Sequence, residues 1–168
     1  MEVIPNWHPA LVHFPIAFAT AAVVLMAAGI LFKNRPWAAQ CLMMGRWMLL
    51  GAAGFACVAA VFGWLAFNSV LHDEAGRLAM TIHRNWALAA LAALLVLAGW
   101  TAWTWRSVES PSYGFLFLLA AMWLLIATAA WHGGEAVYRH GLGVMALPDI
   151  PNDQEALPGG DGGDGPIH

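Results

Sequence analysis

Four apolar stretches, at roughly residues 10–32, 47–69, 85–105 and 113–132, carry no Asp, Glu, Lys or Arg. Each is long enough to cross a bilayer core, which takes about 20 residues at a helical rise of about 1.5 Å. Polar and charged positions collect in the connections and beyond Met145, where the chain reads ALPDIPNDQEALPGGDGGDGPIH. This pattern predicts an all-α fold: a four-helix transmembrane bundle over residues 1–145, then a flexible, disordered acidic tail over 146–168 that is too poor in apolar residues to form a core. The DGGDG run matches no calcium-loop spacing. Beyond the recurrence of the spans, no internal repeat is read.

Composition agrees with the pattern: 61% of residues are hydrophobic and 10% charged, well outside the soluble globular range. No Lys or Arg precedes the first apolar run, so the first helix is expected to stay as a span and not to be a cleaved leader. A net charge of -3, with no basic stripe and no glycine-rich phosphate loop, gives nucleic acid nothing to bind. Cys41 and Cys57 fall about 24 Å apart along one helix and cannot pair with each other there. Gly51, Ala52, Ala53, Gly54, Ala59 and Gly63 make the second span a surface that neighbouring backbones can approach closely.

Two features set topology. Tryptophans gather at the expected boundaries, Trp37, Trp47, Trp100, Trp103 and Trp105 at one and Trp7, Trp64, Trp86 and Trp131 at the other, where amphipathic indoles prefer the headgroup layer. Lys33, Arg35, Arg46 and Arg106 lie on one face, against Arg77, Arg84 and Arg139 on the other. This excess of one basic residue favours an inner-membrane protein with both termini outside, in the periplasm.

Candidate chemistry comes from histidine. His8, His13, His72, His83, His132 and His140 all fall at the face that holds the N-terminus, and only His168 lies in the tail. Imidazole inside a membrane bundle is costly, and its presence points to function. His8 and His13 are about 7.5 Å apart along a helix and about 140° apart around it, so both could serve one ion only if the helix were interrupted, which Pro9 and Pro15 permit. His72 and His132 read as solvent-facing or supporting residues.

Imidazoles on several helices of an apolar bundle suit haem b, since neutral nitrogens supply axial ligands while apolar side chains enclose the porphyrin. Arg77, Arg84 and Arg139 are candidates to pair with the propionates. Bare zinc or copper would be better served by HxxxH or CxxC spacing, which the chain lacks. Met43, Met44 and Met48 lie toward the other face and read as packing residues. No Ser-His-Asp set or paired carboxylates appear within the spans, so covalent catalysis has no support and electron transfer is the better reading than a stand-alone enzyme.

The segments HPALVHFPIAF, residues 8–18, and GGEAVYRHGLGV, residues 133–144, resemble the bacterial membrane family catalogued as domain of unknown function 2231. Its members open with HPxxVHFP and close with GGxxVYxHGxGV, and the resemblance covers about residues 6–145. It implies His8, His13, His83, which matches a histidine opening the third span, and His140 as functional positions. Four histidines would suit two bis-histidine haems, or one haem with two supporting residues. Some relatives are joined to Rieske or cytochrome-like domains, which implies redox work. The glycines of the closing motif are expected at the end of the fourth helix, with Glu135 and Arg139 placed for an i,i+4 pair and Tyr138 beside them.

The sequence therefore leads to a membrane b-type cytochrome with one or two haems near the periplasmic face. Its candidate haem-binding residues are His8, His13, His83, His140, Arg84 and Arg139, with the four histidines as metal ligands. Expected partners are the lipid bilayer, a separate redox protein such as a cytochrome c or Rieske-type protein, quinol, and further copies or other subunits in an oligomer. Two other readings stay open: a non-catalytic anchor or assembly subunit of a redox complex, and a carrier of metal ions or small solutes.

Overall fold

In the computed structural model, residues 7–69, 74–105 and 111–142 are described. His72, Arg106, Glu109, His168 and the acidic tail lie outside them.

Five α-helices follow in chain order: α1, His8–Leu11; α2, His13–Leu31; α3, Ala38–Ser69; α4, Glu74–Trp103; and α5, Tyr113–His140. The first two form one span with an interruption at Val12, whose dihedrals remain helical. Pro15 contributes to it, since it has no N–H to return to the Leu11 carbonyl, and the ladder resumes with Ile16 N–H on the Val12 carbonyl at 3.4 Å. Among the described residues there is no strand, and four helical segments are long and apolar enough to cross a membrane. Helices α3, α4 and α5 run past the apolar stretches that predict them, so polar residues such as Glu74, Arg77 and Arg139 are helical too.

Local chemistry sets the ends of α5. Ser112, in extended conformation, accepts the Phe115 N–H at 3.2 Å as an N-cap. Gly141, at φ 61°, turns left-handed after His140 and closes the helix, whereas Gly133 and Gly134, expected at the helix end with it, lie inside α5. A side chain in place of Gly141 would be strained.

Helix α2 packs mainly on α3 and α4 mainly on α5, making two tight hairpins. Looser contacts between α3 and α4 and between α2 and α5 close them into a four-span ring. Ala19, Ala22, Met26, Leu49, Ala52, Leu94, Leu97, Leu119 and Met122 fill its centre, recurring at three- and four-residue steps. The outer surface carries large apolar side chains such as Val24, Val96, Phe117 and Leu124. In water such a surface would aggregate, whereas in lipid it is the correct exterior, and the chain is a multi-pass membrane protein.

Lipid offers no hydrophobic drive for helices to associate, so close approach has to supply the attraction. Helices α2 and α3 approach closely at Gly29 and Gly45. A β-carbon on Gly45 would stand 2.4 Å from Met26 Cγ and 3.2 Å from the Met26 backbone nitrogen. Of the small residues expected to mediate contact, Ala52, Ala53 and Ala59 are buried, but nothing lies within 4 Å of a β-carbon on Gly54. A polar link also joins the hairpins. Trp123 Nε1 donates to Thr20 Oγ1 at 2.9 Å, and that hydroxyl donates to the Ile16 carbonyl at 2.8 Å. Such bonds in membranes average about 0.6 kcal/mol.

At the end rich in Lys and Arg, Arg46 donates to the Trp105 carbonyl at 3.4 Å while Trp47 and Trp105 meet edge to face. This aromatic and cationic girdle is what an interface anchor requires.

Gly45→Val is expected to destabilise the bundle by about 1–3 kcal/mol through overpacking against Met26. Gly54→Val, at an open position, should have little effect. Thermal unfolding of the two variants in detergent checks the difference, and equal losses would contradict the packing described.

Candidate functional site

At the opposite end from Arg46, two histidines are held in the same way. His8, in the one-turn helix α1, lies against α3, and its Nδ1–H donates to the Ala59 carbonyl at 2.9 Å. His83, in α4, lies against α5, and its Nδ1–H donates to the Ala129 carbonyl, also at 2.9 Å. A carbonyl can only accept, so in a neutral ring each bond fixes the tautomer that leaves the lone pair on Nε2. The ring centroids are 6.2 Å apart with an interplanar angle of 70°. Both rings are half-buried.

The local sequence explains why a carbonyl in mid-helix can accept a second donor. In an α-helix each Cα–Cβ bond tilts toward the N-terminus, so the β-carbon of residue i+4 stands over the carbonyl of residue i. The residues four beyond Ala59 and Ala129 are Gly63 and Gly133. With no β-carbon there, an imidazole can lie against the backbone and reach the carbonyl beneath. A β-carbon on Gly63 would stand 2.8 Å from His8 Cε1 and 3.0 Å from Nδ1. One on Gly133 would stand 3.0 Å from His83 Cε1 and 3.2 Å from Nδ1.

Around this pair lies a second set of polar groups. Arg84, next to His83 and half-buried, places its guanidinium 4.9 Å from the centre of the Phe67 ring on α3. His132 stacks on Trp86 with centroids 6.2 Å apart and a 17° interplanar angle, and its Nδ1 is 3.4 Å from Glu135 Oε2. Glu135 Oε1 is 3.1 Å from Arg139 Nη1, the i,i+4 pair expected from sequence. Arg139 is mostly exposed, so this pair adds no more than about 0.5 kcal/mol. Arg77 lies lower on α4, in a shallow surface groove with Glu74, Leu78 and Thr81.

Of the four histidines marked as candidate ligands, the structure brings His8 and His83 together. His13 and His140 are exposed, His13 at the start of α2 and His140 at the end of α5. His132, read from sequence as solvent-facing or supporting, is half-buried and linked to Trp86 and Glu135. Sequence reasoning missed Ala129 altogether and read Ala59 and Gly63 as small residues for close helix packing and Gly133 as a glycine of the helix end, not as the seats of two histidines. A signal was present: Ala-Ala-Val-Phe-Gly at 59–63 and Ala-Ala-Trp-His-Gly at 129–133 share an A-A-x-x-G pattern.

Chemically, the site offers two imidazoles from two different hairpins, their rings 6.2 Å apart and each held through Nδ1. Among the described residues there is no cluster of three or more His, Cys, Asp or Glu side chains placed to hold a metal ion.

In metal-free protein above pH 8, nitrogen-15 spectra are expected to show His8 and His83 as Nδ1–H tautomers. Protonated Nε2 with bare Nδ1 at either residue would contradict the hydrogen bonds to Ala59 and Ala129.

A family model described as Predicted membrane protein (DUF2231) matches residues 5–146. No curated protein and no solved structure matches the chain. The family match takes in all four spans, both histidine-bearing helix pairs and the two A-A-x-x-G segments, and the chain belongs to this family of membrane proteins of unknown function.

Proposed function

We propose that this protein is a membrane b-type cytochrome in which His8 and His83 are the axial ligands of haem b, and that it exchanges electrons with a separate redox partner. The observation that carries the reading is the spacing of the two imidazoles. A metal–imidazole bond of about 2.0–2.1 Å and a ring radius of about 1.1 Å, from ring bonds near 1.33 Å, put the centroids of two axial histidines about 6.3 Å apart. The rings of His8 and His83 are 6.2 Å apart. This agreement in spacing is what supports an iron shared by the two imidazoles.

A bound haem would supply one-electron chemistry between ferric and ferrous iron. The chain's own contribution is orientation. Each Nδ1–H bond to a carbonyl holds its ring against rotation and raises the basicity of Nε2, the usual role of the outer partner of a ligating histidine. Arg84, beside His83, offers a guanidinium to a propionate, and Arg139 lies at the same end of the bundle. His13 and His140 stay outside the ligand pair in this reading. Held by His8 and His83, the group would serve electron transfer in preference to the turnover of a bound substrate.

The pair lies at the end of the bundle away from Lys33, Arg35 and Arg46, and the excess of one basic residue on that other face supports a periplasmic position for it. The electron partner is then a periplasmic carrier such as a cytochrome c or Rieske-type protein, or quinol in the membrane.

Purified protein is expected to show a Soret band and, after dithionite, sharp α and β bands. His8→Ala and His83→Ala should each abolish the low-spin spectrum, while His13→Ala and His140→Ala should retain it. A colourless preparation from haem-replete cells would overturn the proposal.

A further inference from the structure

The two imidazole anchors are the same arrangement made twice, and the correspondence extends to individual atoms. In both, Nδ1–H meets the carbonyl four residues before a glycine at 2.9 Å. In both, the ring atoms fall in the same order from the glycine's β-position: Cε1, then Nδ1, then Nε2, at 2.8, 3.0 and 3.5 Å for Gly63 and at 3.0, 3.2 and 3.8 Å for Gly133. The two rings therefore present the same edge to the backbone and the same nitrogen away from it. Each glycine is in the second helix of a hairpin and each histidine in the first, and the tightest packing in the bundle is within those hairpins.

Resting on the cytochrome reading, we infer that each hairpin is one copy of a ligand-presenting unit and that the two copies close on a single shared haem, with Gly63 and Gly133 as the positioning residues that seat its axial histidines. The count follows from where the repeat stops. His13 is five residues after His8, and the residue five after His83 is Leu88. His140 is seven after Gly133, and the residue seven after Gly63 is Val70. Neither has a counterpart in the other hairpin, so the duplicated unit supplies one pair of ligands and one haem site per chain. A haem held by both histidines would leave carbon monoxide no free place to bind.

The glycines are the sharpest handle on this arrangement. A methyl group on Gly63 would overlap the His8 ring, and that ring is pinned by its bond to Ala59, so it can make room only by giving up the bond and turning Nε2 off line. A methyl group on Gly133 meets a slightly looser contact and should act in the same direction more weakly. Gly134, adjacent in sequence, and Gly99 have nothing within 4 Å of their β-positions and serve as controls.

The experiment is to purify the full chain and the variants Gly63→Ala, Gly133→Ala, Gly134→Ala and Gly99→Ala in detergent. Haem per chain, the low-spin signal by electron paramagnetic resonance and carbon monoxide binding are then measured, with thermal unfolding followed in parallel. Expected are one haem per chain and no carbon monoxide adduct in the parent and in both controls. Gly63→Ala should lose about 10–100-fold in haem affinity, the range for a lost outer partner of a metal ligand, with the remaining haem high-spin and open to carbon monoxide. Gly133→Ala should show the same change to a lesser degree. Should Gly63→Ala fail to fold, the milder Gly133→Ala variant and the haem count decide.

A purely structural role for the glycines would lower the unfolding temperature while leaving spin state and carbon monoxide binding unchanged, and that result overturns the inference. So does a count of two haems per chain, or a low-spin spectrum that survives both alanine variants, and either leaves the cytochrome reading standing. A colourless parent protein removes both.

Discussion

An imidazole at the end of an apolar bundle needs a hydrogen-bond partner, and in this chain that partner is a helix backbone. Each of the two carbonyls belongs to a helical turn and still accepts a histidine N–H, which is possible because the β-carbon that would shield it is missing one turn further on. This single contact fixes three things at once: where the ring lies, which nitrogen keeps its lone pair, and which two helices of a hairpin face each other. Leaving such a buried donor unmet would cost about 1–3 kcal/mol, enough to hold the register of the helices around it.

Packing follows the same logic at larger scale. With lipid tails as apolar as the side chains, attraction depends on how closely backbones approach, and Gly29 and Gly45 set that distance for α2 against α3. Near the other end of the same hairpin, Gly63 admits a ring in place of a neighbouring backbone. Between hairpins the contact is looser, with one tryptophan–threonine bond near mid-span and the His8–His83 pair at the end. The bundle thus has two rigid units and a seam, and the paired rings lie across that seam.

The four spans were legible because solvation in lipid leaves a coarse mark: some twenty residues without a charge, with indoles at the boundaries. Helix ends were less so, since a helix can continue past the apolar region into polar residues that composition assigns to connections, as with Glu74 to Thr81 and Gly134 to His140. Gly141 and the Glu135–Arg139 pair could be read because capping and i,i+4 geometry are local. The convergence of His8 with His83 could not, because it depends on which helices neighbour each other and on the rotation of each about its axis. The exposure of His13 has the same origin: a position five residues from His8 points about 140° away, and the interruption at Val12 does not bring it back.

That interruption separates two mechanical duties within one span. The His8 ring is carried on a single turn whose orientation is set by its hold on α3, whereas α2 begins after the lapse and must match the thickness of the surrounding bilayer. Transmembrane helices commonly adjust to thicker or thinner membranes by tilting, at a cost of fractions of a kcal/mol per ångström. Here the lapse at Val12 lies between the lipid-facing length of α2 and the imidazole, so a change of tilt in α2 need not carry the His8 ring with it.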